Sequence, residues 1–299
     1  MRLEKRRLKV SAGELAYLDE GDGPSAVLLH GFPTSSHLWR DLVPMLAPRF
    51  RAIAPDLLGY GDSDKPDDPS ALTITRQAGY VRELLGALGL GDPAVIGHDI
   101  GGGIAQLLAL EGDVRSLVLV DSIALDSWPI EAVRMLQDAG PEGVDEAFAR
   151  AMVGAALDTG MARPERLAEE DREEYARPWV ADPMAVIRAA RGIDGHGLAG
   201  TEGRLAALDA RALVVWGEDD PFQPAEWAER LGEAMPGATV ALLPGCSHYV
   251  TEDAAEAVLP LIADYLRRVR LGQSHAHGPT PVELGISFSR PDRPSDPEA

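Results

Sequence analysis

A single cysteine, Cys246, occurs in the 299 residues of the chain. No internal disulfide can form, and cysteine-rich metal sites are excluded. Positive charge is also scarce, with 28 Lys and Arg against 48 Asp and Glu and a net charge of −20. Such a surface repels nucleic acid and anionic membranes, and it disfavours unaided capture of anionic substrates. No run approaches 18 consecutive apolar residues, so no membrane span is expected. The basic start of the chain, 1–9, is followed by no apolar segment of the kind a signal peptide needs, and a cytoplasmic location is expected. No internal repeat is found. What the chain does have is 45% hydrophobic residues, enough for a sizeable core in one large domain, or in a domain with an insertion.

Short apolar runs alternate with helical spacing along the first part. Leu8 to Leu18 alternates loosely about Gly13 and reads as a hairpin. Ala26–Leu29, Arg51–Ala54, Ala94–Ile96 and Ser116–Val120 read as strands, with helical patterns at 38–46, 74–88 and 100–110 between them. This rhythm signals βαβ units and a parallel sheet. It stops after Asp121, and 126–208 holds helical stretches without a convincing strand. It resumes with strands at 212–216 and 239–243 and helices at 225–235 and 253–269. The expected organisation is a core over 1–125 and 209–271, a helical cap over 126–208 and a flexible tail over 272–299. His275 and His277 fall in that tail and read as solvated residues rather than metal ligands.

The chemistry concentrates at strand ends, where open α/β sheets place their sites. Gly97-His98-Asp99-Ile100-Gly101 joins a buried strand directly to a helix. It has the form of a nucleophile elbow with Asp99 where serine is usual, and glycine is needed at the flanks of so tight a turn. The helix N-terminus favours negative charge, so Asp99 is expected to be ionised. The bland alternative is a helix-capping Asp. Gly217-Glu218-Asp219-Asp220-Pro221 follows a second strand, Gly245-Cys246-Ser247-His248 a third, and His30-Gly31-Phe32-Pro33 a fourth. The chain order is therefore nucleophile, acid, histidine.

With these residues in view, the chain resembles the α/β-hydrolase superfamily over roughly residues 10–270, most of the cap excepted. His30 to Arg40, Ala54 to Pro66 and Gly97 to Gly102 look like the haloalkane dehalogenases and epoxide hydrolases, which share an Asp nucleophile. The resemblance implies an α/β-hydrolase fold: a mostly parallel central sheet flanked by helices, with a helical cap. It implies Asp99 as nucleophile, His248 as base, and Asp220 as the acid orienting it, with Asp121 at the preceding strand end as the rival acid. The backbone N–H groups of Phe32 and Ile100 would form the oxyanion hole, worth about 3–4 kcal/mol per donor. His30 and His98 read as loop braces and Cys246 as a packing residue.

A carboxylate nucleophile suits attack on saturated carbon, giving an alkyl ester that activated water then hydrolyses. The leaving group is less legible. An epoxide oxygen wants a proton donor and a halide wants N–H donors. Ile100 stands where dehalogenases usually carry Trp, and Phe32 where they carry Asn or Glu, while Phe32-Pro33 and Asp99-Ile100-Gly101 match epoxide hydrolases. Cap donors are sought at Tyr175, His196, Trp128 and Trp179. Epoxide opening is the favoured expectation and carbon–halogen hydrolysis the second. An α/β-hydrolase-fold biosynthetic enzyme doing ester, lyase or cyclase chemistry, or a non-catalytic binding module, is the further alternative. The expected partner is an uncharged, apolar small molecule. No metal or organic cofactor is implied, and the oligomeric state is open, a homodimer included.

Overall fold

The computed structural model describes residues 4–194, 197–208, 211–272 and 287–289. The strands are β1 (Arg6–Val10), β2 (Gly13–Glu20), β3 (Ser25–Leu29), β4 (Arg51–Pro55), β5 (Ala94–His98), β6 (Ser116–Val120), β7 (Arg211–Gly217), β8 (Thr239–Leu243) and β9 (Ser287–Ser289). The helices of the core are α1 (Leu42–Leu46), α2 (Ile74–Ala87) and α3 (Ile100–Leu110). The cap supplies α4 (Glu131–Asp138), α5 (Glu146–Gly160), α6 (Glu169–Val180), α7 (Met184–Gly192) and α8 (Glu202–Ala206). The core then continues through α9 (Glu226–Ala234), α10 (Val250–Asp253) and α11 (Ala255–Arg270). No helix among the described residues is long and apolar enough to cross a membrane.

The strands form one sheet in the order β1-β2-β4-β3-β5-β6-β7-β8-β9. The six strands from β4 to β8 run parallel, while β1, β2 and β9 pair antiparallel at the edges. The central strands are buried on both faces. Val27 to Leu29, Val95, Ile96, Leu117 to Val120 and Val214 to Trp216 have essentially no exposed surface. Helices cover both sides of a parallel sheet, so its strands read as unbroken apolar runs rather than alternating ones.

Strand order reverses around β3, whose neighbours are β4 on one side and β5 on the other. Loops leaving β3 and β5 therefore diverge and open a crevice at their C-terminal ends. Leu29 pairs with Gly97 across this gap. That register brings Phe32, three residues past Leu29, level with Asp99, two past Gly97.

Among its described residues, 126–208 holds helices and no strand. The cap is tied to the core by buried polar contacts. The Trp179 indole donates to the Pro33 carbonyl at 2.6 Å. Asp253, at the end of α10, accepts the N–H groups of Ala162 and Arg163 just after α5, and that of Ser247 beside His248. One carboxylate thus joins the cap to the loop carrying the histidine. Within the stretch expected as a flexible tail, 287–289 instead add a ninth strand beside β8. Its backbone groups complete the hydrogen bonds of an otherwise bare edge. His275 and His277 lie outside the described residues.

Candidate active site

Asp99 sits between β5 and α3 with φ 52° and ψ −121°. The neighbouring glycines explain how so sharp a turn fits. A Cβ at Gly97 would lie 2.3 Å from the Gly101 carbonyl oxygen, and one at Gly101 would lie 2.3 Å from that of Leu29. A Cβ at Gly31 would come within 2.4 Å of Asp99 itself. The Phe32 N–H donates to Asp99 Oδ1 at 2.9 Å, and the Ile100 N–H donates to the same carboxylate. Burial pushes the Asp99 carboxyl up to about 6, although His248 and these two N–H groups pull the other way. Burial thus outweighs the helix-terminus effect and raises the carboxyl, while a value of about 6 still leaves Asp99 ionised at neutral pH.

His248 is buried beside it, and its Nδ1 lies 2.9 Å from Asp220 Oδ2. The other oxygen of Asp220 accepts the N–H groups of Phe222 and Gln223 at 2.8 and 2.9 Å, which fixes its orientation. Burial pulls the imidazole toward neutrality, but Asp220 and then Asp99 outweigh it and leave the His248 pKa above its usual value. Asp121 is buried next door, and its Oδ1 accepts the Gly217 N–H at 2.8 Å. Burial, then the Asp220 charge, raises its pKa well above the carboxylate range. Of the two rival acids, the structure joins Asp220 to His248 and turns Asp121 to the backbone.

The remaining histidines near the site are bonded to backbone. His30 Nε2 accepts the Leu57 N–H at 3.0 Å, and burial drops its pKa to about 4. His98 Nε2 meets the His248 carbonyl at 3.0 Å. Cys246 is buried, and burial raises its thiol pKa to about 11, so it is no ready nucleophile. Among the described residues no group of three or more His, Cys, Asp or Glu is placed to hold a metal.

Asp99 and His248 open into a cavity of ≈ 520 Å³ between core and cap. Its wall is largely apolar, drawn from α4 and α5 with Phe32, Pro33 and Phe222. Two expected cap donors are not there. Tyr175 donates its hydroxyl to Glu252 at 2.5 Å, at the core–cap junction beside Arg40. Trp179 has its N–H committed to Pro33 and packs edge-on against Phe32 and Tyr60. Both are corrected to cap anchors: their polar atoms are already satisfied by the core. His196 lies outside the described residues. Trp128 does line the cavity, and its indole nitrogen is buried without a partner. Tyr249, which sequence reasoning passed over, also lines it, and its hydroxyl is buried without a partner. Its position directly after His248 was the signal available.

The chain matches the model of the Alpha/beta hydrolase family over residues 26–261. It is 31% identical to the soluble epoxide hydrolase of Corynebacterium sp., covering 87% of this chain and 96% of that protein. It is 30% identical to haloalkane dehalogenase 2 of Mycobacterium tuberculosis, covering 87% and 94%. It is 32% identical to a cis-3-alkyl-4-alkyloxetan-2-one decarboxylase of Xanthomonas campestris, covering 88% and 96%. An α/β-hydrolase fold protein from Burkholderia ambifaria superposes with a TM-score of 0.80 at 31% identity, covering 87% of this chain and 97% of that one. Matched along most of its length, from the first central strand to the last helix, the chain belongs to the α/β-hydrolase superfamily, on the branch with an aspartate nucleophile that holds the haloalkane dehalogenases and epoxide hydrolases.

Proposed function

We propose that the chain hydrolyses epoxides through a covalent ester on Asp99. The observation that carries this reading is a buried carboxylate, held by two N–H groups and flanked by a His–Asp pair, opening into an almost wholly apolar cavity. Such a cavity suits an uncharged substrate. Oδ1, held by the Phe32 N–H, remains behind as the ester carbonyl oxygen, and Oδ2 attacks. Once Asp99 is alkylated its negative charge is gone. His248 then loses one of the influences that raised its pKa, so more of it is neutral and free to accept a proton when water must be activated. The Phe32 and Ile100 N–H groups would then face the oxyanion that develops on the ester.

A second reading, halide displacement, is favoured by the unpartnered Trp128 indole, a donor that can hold an anion but supplies no proton. The relatives include proteins named for each activity and one named for an oxetanone. Intact-mass measurement on His248→Gln tests the chemistry. A hydroxyalkyl adduct on Asp99 from 1,2-epoxyhexane supports the first reading. An adduct from 1-bromohexane alone supports the second. No adduct from either, while an aryl ester is still hydrolysed, refutes both.

A further inference from the structure

Two hydroxyls, Tyr60 Oη and Tyr249 Oη, are buried without a hydrogen-bond partner, and each feels the charge of Asp99. They differ in what they face. Tyr60 is packed behind the site against His30, Phe32 and Trp179. Tyr249 is part of the cavity wall, together with Asp99 and His248. Its ring is clamped in place, stacked on His98 at 5.5 Å and edge-on to His248 at 5.0 Å. Its N–H is held by the Gly160 carbonyl at 3.0 Å. A Cβ at Gly160 would lie 2.6 Å from the ring, so the end of α5 closes down directly on it. A buried hydroxyl with no acceptor is unfavourable and unusual, and a ligand in the cavity can supply the missing acceptor. Burial, with Asp99 beside it, keeps the phenol protonated at neutral pH.

Resting on the epoxide reading above, we infer that Tyr249 is the proton donor to the departing epoxide oxygen. As Asp99 forms its bond to the epoxide carbon, the carbon–oxygen bond breaks and its electron pair goes to oxygen. The Tyr249 proton follows, leaving a hydroxyalkyl ester and a tyrosinate. Water then adds to the ester carbonyl. Hydrolysis completes the diol, returns the Asp99 carboxylate and leaves one proton on His248. That proton restores Tyr249, the next residue in the chain. Of the other donors that line the cavity, neither the Trp128 indole nor the Thr159 hydroxyl is acidic enough to supply a proton. The donor that the cap was expected to provide thus comes from the core. A halide carries its electron pair away and needs no proton, so Tyr249 separates the two chemistries.

Tyr249→Phe keeps the ring and its packing while removing the hydroxyl. With 1,2-epoxyhexane and 1-bromohexane as probes, the ratio of epoxide opening to bromide release should fall about 100-fold. In a His248→Gln background, mass-spectrometric time courses should show the epoxide adduct forming about 100-fold more slowly when Tyr249 is also replaced. A ratio and an adduct rate within about threefold of those with Tyr249 present overturn this inference alone. Parallel losses on both probes also overturn it, since they mark a packing role. A chain with Tyr249 intact that forms no epoxide adduct overturns the functional reading, and this inference with it.

Discussion

His98 Nε2 lies 3.0 Å from the backbone carbonyl oxygen of His248. The residue just before Asp99 therefore holds the backbone of the residue proposed to deprotonate water. Burial, with His248 nearby, keeps His98 uncharged, and its ring lies 4.7 Å from that of His248. Replacing His98 by Ala should loosen the base more than the nucleophile. Ester hydrolysis is expected to slow roughly 10- to 100-fold while ester formation changes less. In rapid-quench experiments the alkyl-enzyme should then accumulate.

The two buried acids should separate cleanly. Asp220→Asn removes the carboxylate at His248 Nδ1 and favours the wrong tautomer, and hydrolysis of the ester should fall by roughly 10³–10⁴. Asp121→Asn keeps an oxygen for the Gly217 N–H and should leave turnover within about tenfold of the parent. Equal losses in steady-state kinetics would contradict the assignment of Asp220.

Ester formation needs Asp99 ionised. With its carboxyl pushed up to about 6, single-turnover alkylation should decline below that pH, approaching tenfold per unit. A profile flat down to about pH 4 would show that burial does not govern the group.

The same shift has a sign for stability. The folded pKa of Asp99 lies above its unfolded value, so folding is favoured while the group is protonated. That contribution is full below about pH 4 and is lost as pH rises through 6. Asp99→Asn should therefore stabilise the protein at pH 8, by on the order of 3 kcal/mol. The gain should shrink through pH 6 and vanish near 4. Urea titrations of both forms across this range would measure it.

Arg40 donates to both oxygens of Glu252, at 2.6 and 2.8 Å, and Glu252 also accepts from Tyr175 on the cap. Glu252→Gln leaves a largely buried guanidinium with Asp171 and the more distant Asp41, at 3.3 and 3.9 Å, for compensation. The expected loss is on the order of 3 kcal/mol in denaturant unfolding. Hydrogen exchange should rise first in α6, where Tyr175 and Asp171 sit.

The core is legible in the chain because doubly covered strands must be unbroken apolar runs, and because the turn at Asp99 excludes side chains at Gly97 and Gly101. The preference for Asp220 over Asp121 rests on the family resemblance alone, since both follow neighbouring parallel strands and spacing treats them alike. Two of the four cap donors are placed elsewhere for a different reason. Tyr175 and Trp179 carry the right atoms, but where a cap helix aims them depends on how it docks, and here the Pro33 carbonyl and Glu252 claim them. Tyr249 was overlooked because an aromatic residue beside a histidine reads as packing until a cavity is seen on its other side.

Residue Val120 of β6 is paired with Val215 of β7, although more than ninety positions separate them and the whole helical cap is spliced between. The splice cuts no ladder of backbone bonds. Replacement of the cap by another is thus a change the sheet would scarcely register, provided the newcomer offers amide groups to Asp253 where Ala162 and Arg163 now stand. In such a molecule the part of the cavity wall drawn from α4 and α5 could be exchanged while the loops that carry Asp99, Asp220 and His248 stay where the sheet puts them.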